Sequence, residues 1–184
     1  MKATENLKQE HESIKMMLKI IEQIVISHKN TKTLNKEHFE WVLEFLKGFV
    51  DKCHHGKEEE ILFPALVEHG MSKNAGPVAV MLYEHQQGRN LVKTLSTAFE
   101  EFENEVNQSV DTIISGSESY VDILRNHIEK ENDILFMMSD RILSDIEQSA
   151  IFNAFENLEE ERIGPGKHEQ YHQILRDLKN IYIH

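Results

Sequence analysis

The chain has 184 residues, with 20 Lys+Arg against 32 Asp+Glu and a formal net charge of -12, which suits one domain with its own core and argues against nucleic acid or an anionic membrane surface as partner. Eight glycines, three prolines and an abundance of Leu, Ile, Glu and Lys read as an all-α protein, and no run reaches the roughly 20 apolar residues of a membrane-spanning helix. The single cysteine, Cys53, excludes an internal disulfide; with no signal-peptide pattern at Met1–Asn6, the expected location is the cytoplasm.

Thr4 is placed as N-cap of a first helix whose apolar stripe runs Leu7, Ile14, Leu18, Ile21, Val25, with His11 inside it. After a polar turn at Ser27–Thr33, a second helix runs from its N-cap Asn35 to about Glu68, with Pro64 expected to kink or end it early. Helical steps upstream of His54 meet Leu43, Leu46 and Val50, and downstream steps meet Glu58, Ile61 and Ala65, so His54 and Glu58 lie in the buried stripe. The same steps from His55 meet Glu44, Gly48, Asp51 and Glu59, which puts His55 and Glu59 on the wet side and makes His55→Ala an expected near-neutral change. Cys53 points off the ligand face and is expected to be inert. The Gly70–Gly76 turn leads to Pro77, well placed to open a third helix, with Val78, Met81, Leu82, His85, Val92, Leu95, Phe99 and Phe102 on one face. A turn follows near Asn104–Asn107. The fourth helix carries Tyr120, Leu124, His127, Glu131, Ile134, Leu135, Met138 and Ile142, with Gly116 marking a break in its early part. A fifth, short helix from Ser144 to about Glu160 presents Ile146, Ile151, Phe152, Phe155 and Leu158. Gly164-Pro165-Gly166 ends it, and a sixth from Lys167 to Ile183 presents Tyr171, Leu175, Leu178 and Tyr182. The fold expected is one domain over 1–184: an antiparallel up-and-down four-helix bundle over 1–143, with the two short helices of 144–184 packed on it.

In such a bundle, residues equidistant from a turn share a height. His11 and His54 are equidistant from about residue 32, His54 and His85 from about residue 70, and His85 and His127 from residue 106. All three midpoints fall at or beside an independently read turn, so one layer holds four imidazoles with Glu58 and Glu131 about one turn away. A buried carboxylate must be paired, protonated or bound to a cation. His11, His54, Glu58, His85, His127 and Glu131 together make a mixed nitrogen–oxygen set, with carboxylates able to bridge two cations. This is the chemistry of a di-iron site, with zinc or manganese as substitutes. Glu10, Glu12, Glu59, Glu60 and Glu129 read as a solvated face. Glu84 and Arg89 are left without an assigned role. His168-Glu169-Gln170-Tyr171-His172 matches the His-Glu-x-x-His pattern of zinc proteases, but little chain follows it for a third ligand, and the motif reads as packing for the last helix.

His54-His55-Gly56-Lys57-Glu58-Glu59 resembles the His-Phe-x-x-Glu-Glu signature of hemerythrins, with His55 in the Phe place. The order His11, His54-x-x-x-Glu58, His85, His127-x-x-x-Glu131 resembles the hemerythrin-like HHE cation-binding family over about residues 5 to 143. The resemblance implies two non-haem iron ions, oxo- or carboxylate-bridged, held by those six residues. It departs from the oxygen carriers in two places: Arg89 stands four residues after His85 where they have a second histidine, and Glu131 follows His127 by four where they have an Asp at five. A set one ligand short implies binding or sensing of oxygen, nitric oxide or peroxide rather than oxygen carriage. The alternatives are an enzyme of nitric oxide or peroxide detoxification or of iron–sulfur cluster repair, and a bundle that metal merely stabilises.

Overall fold

The computed structural model describes residues 1–103 and 109–183; the turn expected near Asn104–Asn107 lies outside them. The described residues form six helical rods and no strand. The first is α1 (Ala3–Thr31). The second starts as α2 (Lys36–Phe45), passes through π-helical turns over Leu46–His55 and Glu58–Leu62, and ends as α3 (Phe63–Glu68). The third is α4 (Gly76–Glu103). The fourth is α5 (Ser109–Lys130), a π turn over Glu131–Leu135, and α6 (Phe136–Ile142). Then come α7 (Asp145–Arg162) and α8 (Lys167–Tyr182). The α4 and α5 helices pack on one another, α1 packs on α5, and α7 and α8 both pack on α1. No helix among the described residues is long and apolar enough to cross a membrane.

Local chemistry explains most boundaries. Asn35 caps α2 by accepting from the His38 N–H, and Ser144 caps α7 in a reciprocal pair with Glu147. Gly164 and Gly166 take positive φ between α7 and α8. Three expectations are corrected. Thr4 is not the N-cap: that place is taken two residues earlier by Lys2, the Glu5 carboxylate accepts from the Lys2 N–H, and the buried Thr4 hydroxyl donates to Asp140 instead. The rod runs on to Glu68 rather than ending early at Pro64. The π turn before it bonds the Phe63 N–H to the carbonyl of Glu58, five residues back, and that wider turn relieves the clash a proline ring makes in a regular α-helix. Gly116 does not break α5, which is continuous through it; a β-carbon there would sit 2.9 Å from the Leu95 side chain, so its bare backbone lets α4 come close.

The core has two apolar layers. One contains Ile14, Val50, Val92 and Leu124, and the other Leu7, Leu62, Met81 and Leu135. On all four rods the chain passes from one layer to the other across the histidines and glutamates singled out above, so the polar groups form a sheet of charge between two oily ones. Ile134 and Ile146, read as core, are exposed; the face that buries Ile151, Phe155 and Leu158 leaves Ile146 outside.

The tail helix is keyed to the second rod at Gly48. Tyr171, buried against Phe45 and Phe49, lies where a Gly48 β-carbon would be, its hydroxyl 2.0 Å from that position. Gly48→Ala is therefore expected to destabilise by about 1–3 kcal/mol through overpacking, with metal uptake unchanged, and Tyr171→Leu in the same chain should recover most of the loss. Urea unfolding with metal analysis checks both; metal loss in Gly48→Ala would mean that the tail supports the centre.

Candidate metal centre

The polar layer is built from four rods. His11 comes from α1; His54, His55 and Glu58 from the π region of the second rod; His85 from α4; His127 and Glu131 from the junction of α5 with its π turn. All seven are buried. The structure brings together all six residues expected from the sequence and adds His55. Placing His55 on the wet side was wrong: it is 3% exposed and its ring stacks on His85 at 3.8 Å between centroids. The step of three and four residues fails where i→i+5 bonding puts an extra residue in the turn. There, neighbouring side chains fan less widely, and His54 and His55 both face inward.

The seven residues fall into two groups of potential ligand atoms, each within 4.8 Å: His55, Glu58, His85 and His127, and His11, His54, Glu58 and Glu131. Glu58 belongs to both. Glu131 lies 3.2 Å from His11 Nε2 and 3.3 Å from His127 Nε2, so it too faces both groups. Both oxygens of Glu58 and of Glu131, Nε2 of His11 and both ring nitrogens of His55 are buried with no hydrogen-bond partner among the described residues. Orphaned buried atoms on that scale are costly, and cations coordinated by them would satisfy them. The residues present fit bound metal.

The outer atoms of four imidazoles are anchored. His54 Nδ1 bonds Glu10 at 2.8 Å, His85 Nδ1 bonds Glu59 at 2.7 Å, His127 Nδ1 bonds Glu84 at 3.0 Å, and His11 Nδ1 bonds Asn132 at 3.0 Å. With Nδ1 so occupied, Nε2 is left facing the centre, the tautomer a ligand needs. Glu10 and Glu59 are thus not a solvated face, and Glu84 orients a histidine rather than joining the set. Glu10 could have been read from the sequence, since it continues the stripe between Leu7 and Ile14. His55 lacks an anchor: its Nδ1 lies 3.6 Å from Asp51, which is taken by Arg89 at 2.7 Å. Arg89 also bonds Glu59 at 2.6 Å, which settles its place as a clamp on the carboxylate behind His85.

Beneath Glu10 lies Lys57, fully buried, 2.5 Å from Glu10 and 2.9 Å from Glu159 of α7. Glu10, Glu159 and His168 are close enough to hold a further cation, but the Lys57 ammonium already supplies the charge there. Cys53 is buried beside Glu159, and burial pushes its thiol pKa up to about 12, which keeps it inert. His168 and His172 pack on each other and on Phe49; the His-Glu-x-x-His motif is packing.

Charges in the metal-free layer follow from these contacts. Burial opposes ionisation of Glu10, but the bond from His54 and the charge of Lys57 outweigh it and lower its pKa to about 2. Burial lowers His54 to about 4, and pushes His55, with help from its neighbour His85, well below the ordinary histidine value. Burial and the adjacent Glu131 charge hold Glu58 well above the usual carboxylate range. Burial resists the charge on Glu131, yet His127 and His11 hold it well below that range; in return Glu131 and Glu84 overcome burial and raise His127 to about 9. The proton that Glu131 and Glu84 favour on His127 thus supplies positive charge at the centre. A groove of about 540 Å³ between α1 and α5, walled by Glu22, Ile26 and Glu118, is not lined by any residue of this layer.

A family model described as the hemerythrin HHE cation binding domain matches residues 2–139. Iron-sulfur cluster repair proteins YtfE of Salmonella schwarzengrund (strain CVM19633) and Salmonella newport (strain SL254) are each 34% identical over 86 residues, which is 45% of this chain and 39% of the relative. The chain therefore spans well under half the length of the curated relatives it matches. No solved structure matches. With three quarters of its length under the family model and its buried histidines and glutamates gathered in one layer, the chain belongs to the hemerythrin HHE cation-binding domain family.

Proposed function

We propose that this chain is a cytoplasmic non-haem di-iron protein that binds or senses oxygen, nitric oxide or peroxide. The observation that carries the reading is the pair of buried His/Glu groups sharing Glu58, with the inner atoms of both carboxylates unpartnered. In this reading His55, His85 and His127 would hold one iron and His11 and His54 the other, with Glu58 and Glu131 as carboxylate donors facing both groups. Iron so held supplies electron transfer and open positions for an exogenous ligand, as nitrogen–oxygen sites with incomplete coordination do. The protein's part is orientation and exclusion. Glu10, Glu59, Glu84 and Asn132 hold the imidazole rings, while Phe63 and Phe136 pack against His85 and His11 and keep water out. The first two rods, α4 and the α5–α6 rod are read as an antiparallel up-and-down bundle in one domain, with α7 and α8 laid on it.

A second reading, iron–sulfur cluster repair, is favoured by the likeness to the YtfE proteins; in that case the irons are cargo or donor rather than a ligand sensor. Anaerobic reconstitution is expected to load two irons per chain, with near-ultraviolet charge-transfer absorption once oxidised. Reduced protein should respond within seconds to nitric oxide or oxygen. Iron that transfers to an apo-cluster acceptor in preference to binding gas would select repair. Less than one iron per chain in the wild-type protein would overturn both.

A further inference from the structure

Three of the anchored imidazoles share one plan: a ring nitrogen bonds a carboxylate, and a cation holds that carboxylate. Glu59 behind His85 is held by Arg89, Glu84 behind His127 by Lys130, and Glu10 behind His54 by Lys57. The Arg89 and Lys130 side chains are 32% and 37% exposed, so water can solvate their far sides. The Lys57 side chain is 0% exposed. An ammonium has three N–H donors, and a buried one must find protein acceptors for them. Glu10 takes one at 2.5 Å and Asn6 another at 3.5 Å, both from α1. Glu159 of α7 takes the third at 2.9 Å, and the Phe155 ring of the same helix lies 5.9 Å from the ammonium. Glu159 is itself oriented: the Cys53 thiol donates to it at 3.9 Å and His168 Nδ1 stands 3.5 Å away. A bonded chain therefore runs His54–Glu10–Lys57–Glu159, from the buried layer to a helix outside the four rods. The chains through Arg89 and Lys130 end within the rods.

We propose that Glu159 is a positioning residue for the His11/His54 group, and that α7 is the element that responds to a metal ion held there. The proposal deepens the di-iron reading, and its metal-dependent part rests on it. With Nε2 coordinated, the His54 ring is polarised and its Nδ1–H becomes a stronger donor to Glu10. Glu10 then gives less of its charge to Lys57, and Lys57 draws harder on Glu159, which tightens α7 on the bundle. Linkage requires the converse. With Glu159 neutral, Lys57 draws harder on Glu10, and the His54 ring loses part of its partner.

The test uses the full chain with Glu159→Gln, which keeps the shape of the side chain and removes its charge. Glu160 is exposed, and Glu160→Gln makes the same change in net charge one residue away. Ferrous affinity, measured anaerobically against a chelator, should weaken about fivefold or more in Glu159→Gln and much less in Glu160→Gln. Equal affinities in the two variants overturn the proposal, since net charge would then account for any change. Amide exchange in the wild-type protein gives a measurement that does not depend on a variant folding. Ferrous iron should slow exchange across α7 about fivefold more than across the buried interior of α8, residues 171–178. Parallel slowing of the two stretches overturns it. Should the wild-type protein take up no iron, the di-iron reading fails, and imidazole nitrogen NMR of the metal-free chain decides the positioning role. The His54 Nδ1 proton should then exchange with water faster in Glu159→Gln than in Glu160→Gln, and equal rates overturn that role.

Discussion

Glu58→Leu is expected to abolish binding of both cations and, at the same time, to make the metal-free protein more stable than the wild type. Glu58 is shared by the two ligand groups, so its loss opens both, whereas His55→Ala touches one group and should leave about one cation per chain. The stability gain has a separate origin. Both Glu58 oxygens are buried without a partner, and a leucine of similar volume removes that desolvation; replacing buried ionic groups with apolar ones is often stabilising by about 1–4 kcal/mol. The pH dependence has a definite sign. The folded Glu58 pKa lies well above the usual carboxylate value of 4.5, so its contribution is fully present below 4.5 and is lost as pH rises through the folded value. The stability gap between metal-free Glu58→Leu and metal-free wild type should therefore widen from pH 4.5 upward. Metal analysis and thermal melting with and without iron read both effects. Equal metal loss in Glu58→Leu and His55→Ala would show that the groups do not divide as described.

Lys57→Met is expected to destabilise by about 3–5 kcal/mol, the penalty for leaving one partner of a buried ion pair uncompensated. The ammonium is fully buried between Glu10 and Glu159, and burial, which would drive its proton off, is outweighed by the Glu10 charge, so its pKa lies above the usual lysine value. Adding Glu10→Gln to Lys57→Met should restore much of the loss, because no buried charge then lacks a partner. Acid provides a check. The Glu10 pKa falls from 4.5 to about 2 on folding, so its contribution is present above pH 4.5 and disappears as pH falls through about 2. Denaturant unfolding of wild type and Glu10→Gln should accordingly converge between pH 4.5 and 2. A Lys57→Met protein as stable as the wild type would mean that Glu10 is satisfied without it.

Much of this was legible in the sequence because the rods are regular where the turns lie. Asn35, Ser144 and Gly164-Pro165-Gly166 punctuate the chain by local chemistry alone, and the midpoints between His11, His54, His85 and His127 depend only on a constant rise along each rod. Assignment failed where a residue's role depends on rotation rather than height. His55 was lost because its rod is not α-helical at that point, and no spacing rule announces a π turn. Glu59 and Glu84 were lost because carboxylates at a rod's edge look solvated until the rod beside them brings a histidine. Lys57 stands three residues after His54 and so shares its face, but a lysine on a buried stripe is read as an error of phase unless Glu10 and Glu159, 47 and 102 residues away, are known to meet it.

The π turns also change how much chemistry one rod can carry. On a regular α-helix a buried stripe offers inward positions three and four residues apart, and each then belongs to a different level of the bundle. Between Leu46 and Leu62 the widened turns let His54, His55 and Glu58 look inward together, so a single rod furnishes three of the seven groups, in five consecutive residues. The third rod is correspondingly relieved: α4 contributes His85 alone, and the position one turn later is free to be Arg89, facing outward to Asp51 and Glu59. A histidine absent from one helix has in effect been moved to its neighbour by a shift of phase. A chain of this kind would keep its complement of donors through substitution at position 89 but lose it through deletion of a single residue between 46 and 62, which would reset the phase of every side chain beyond the gap.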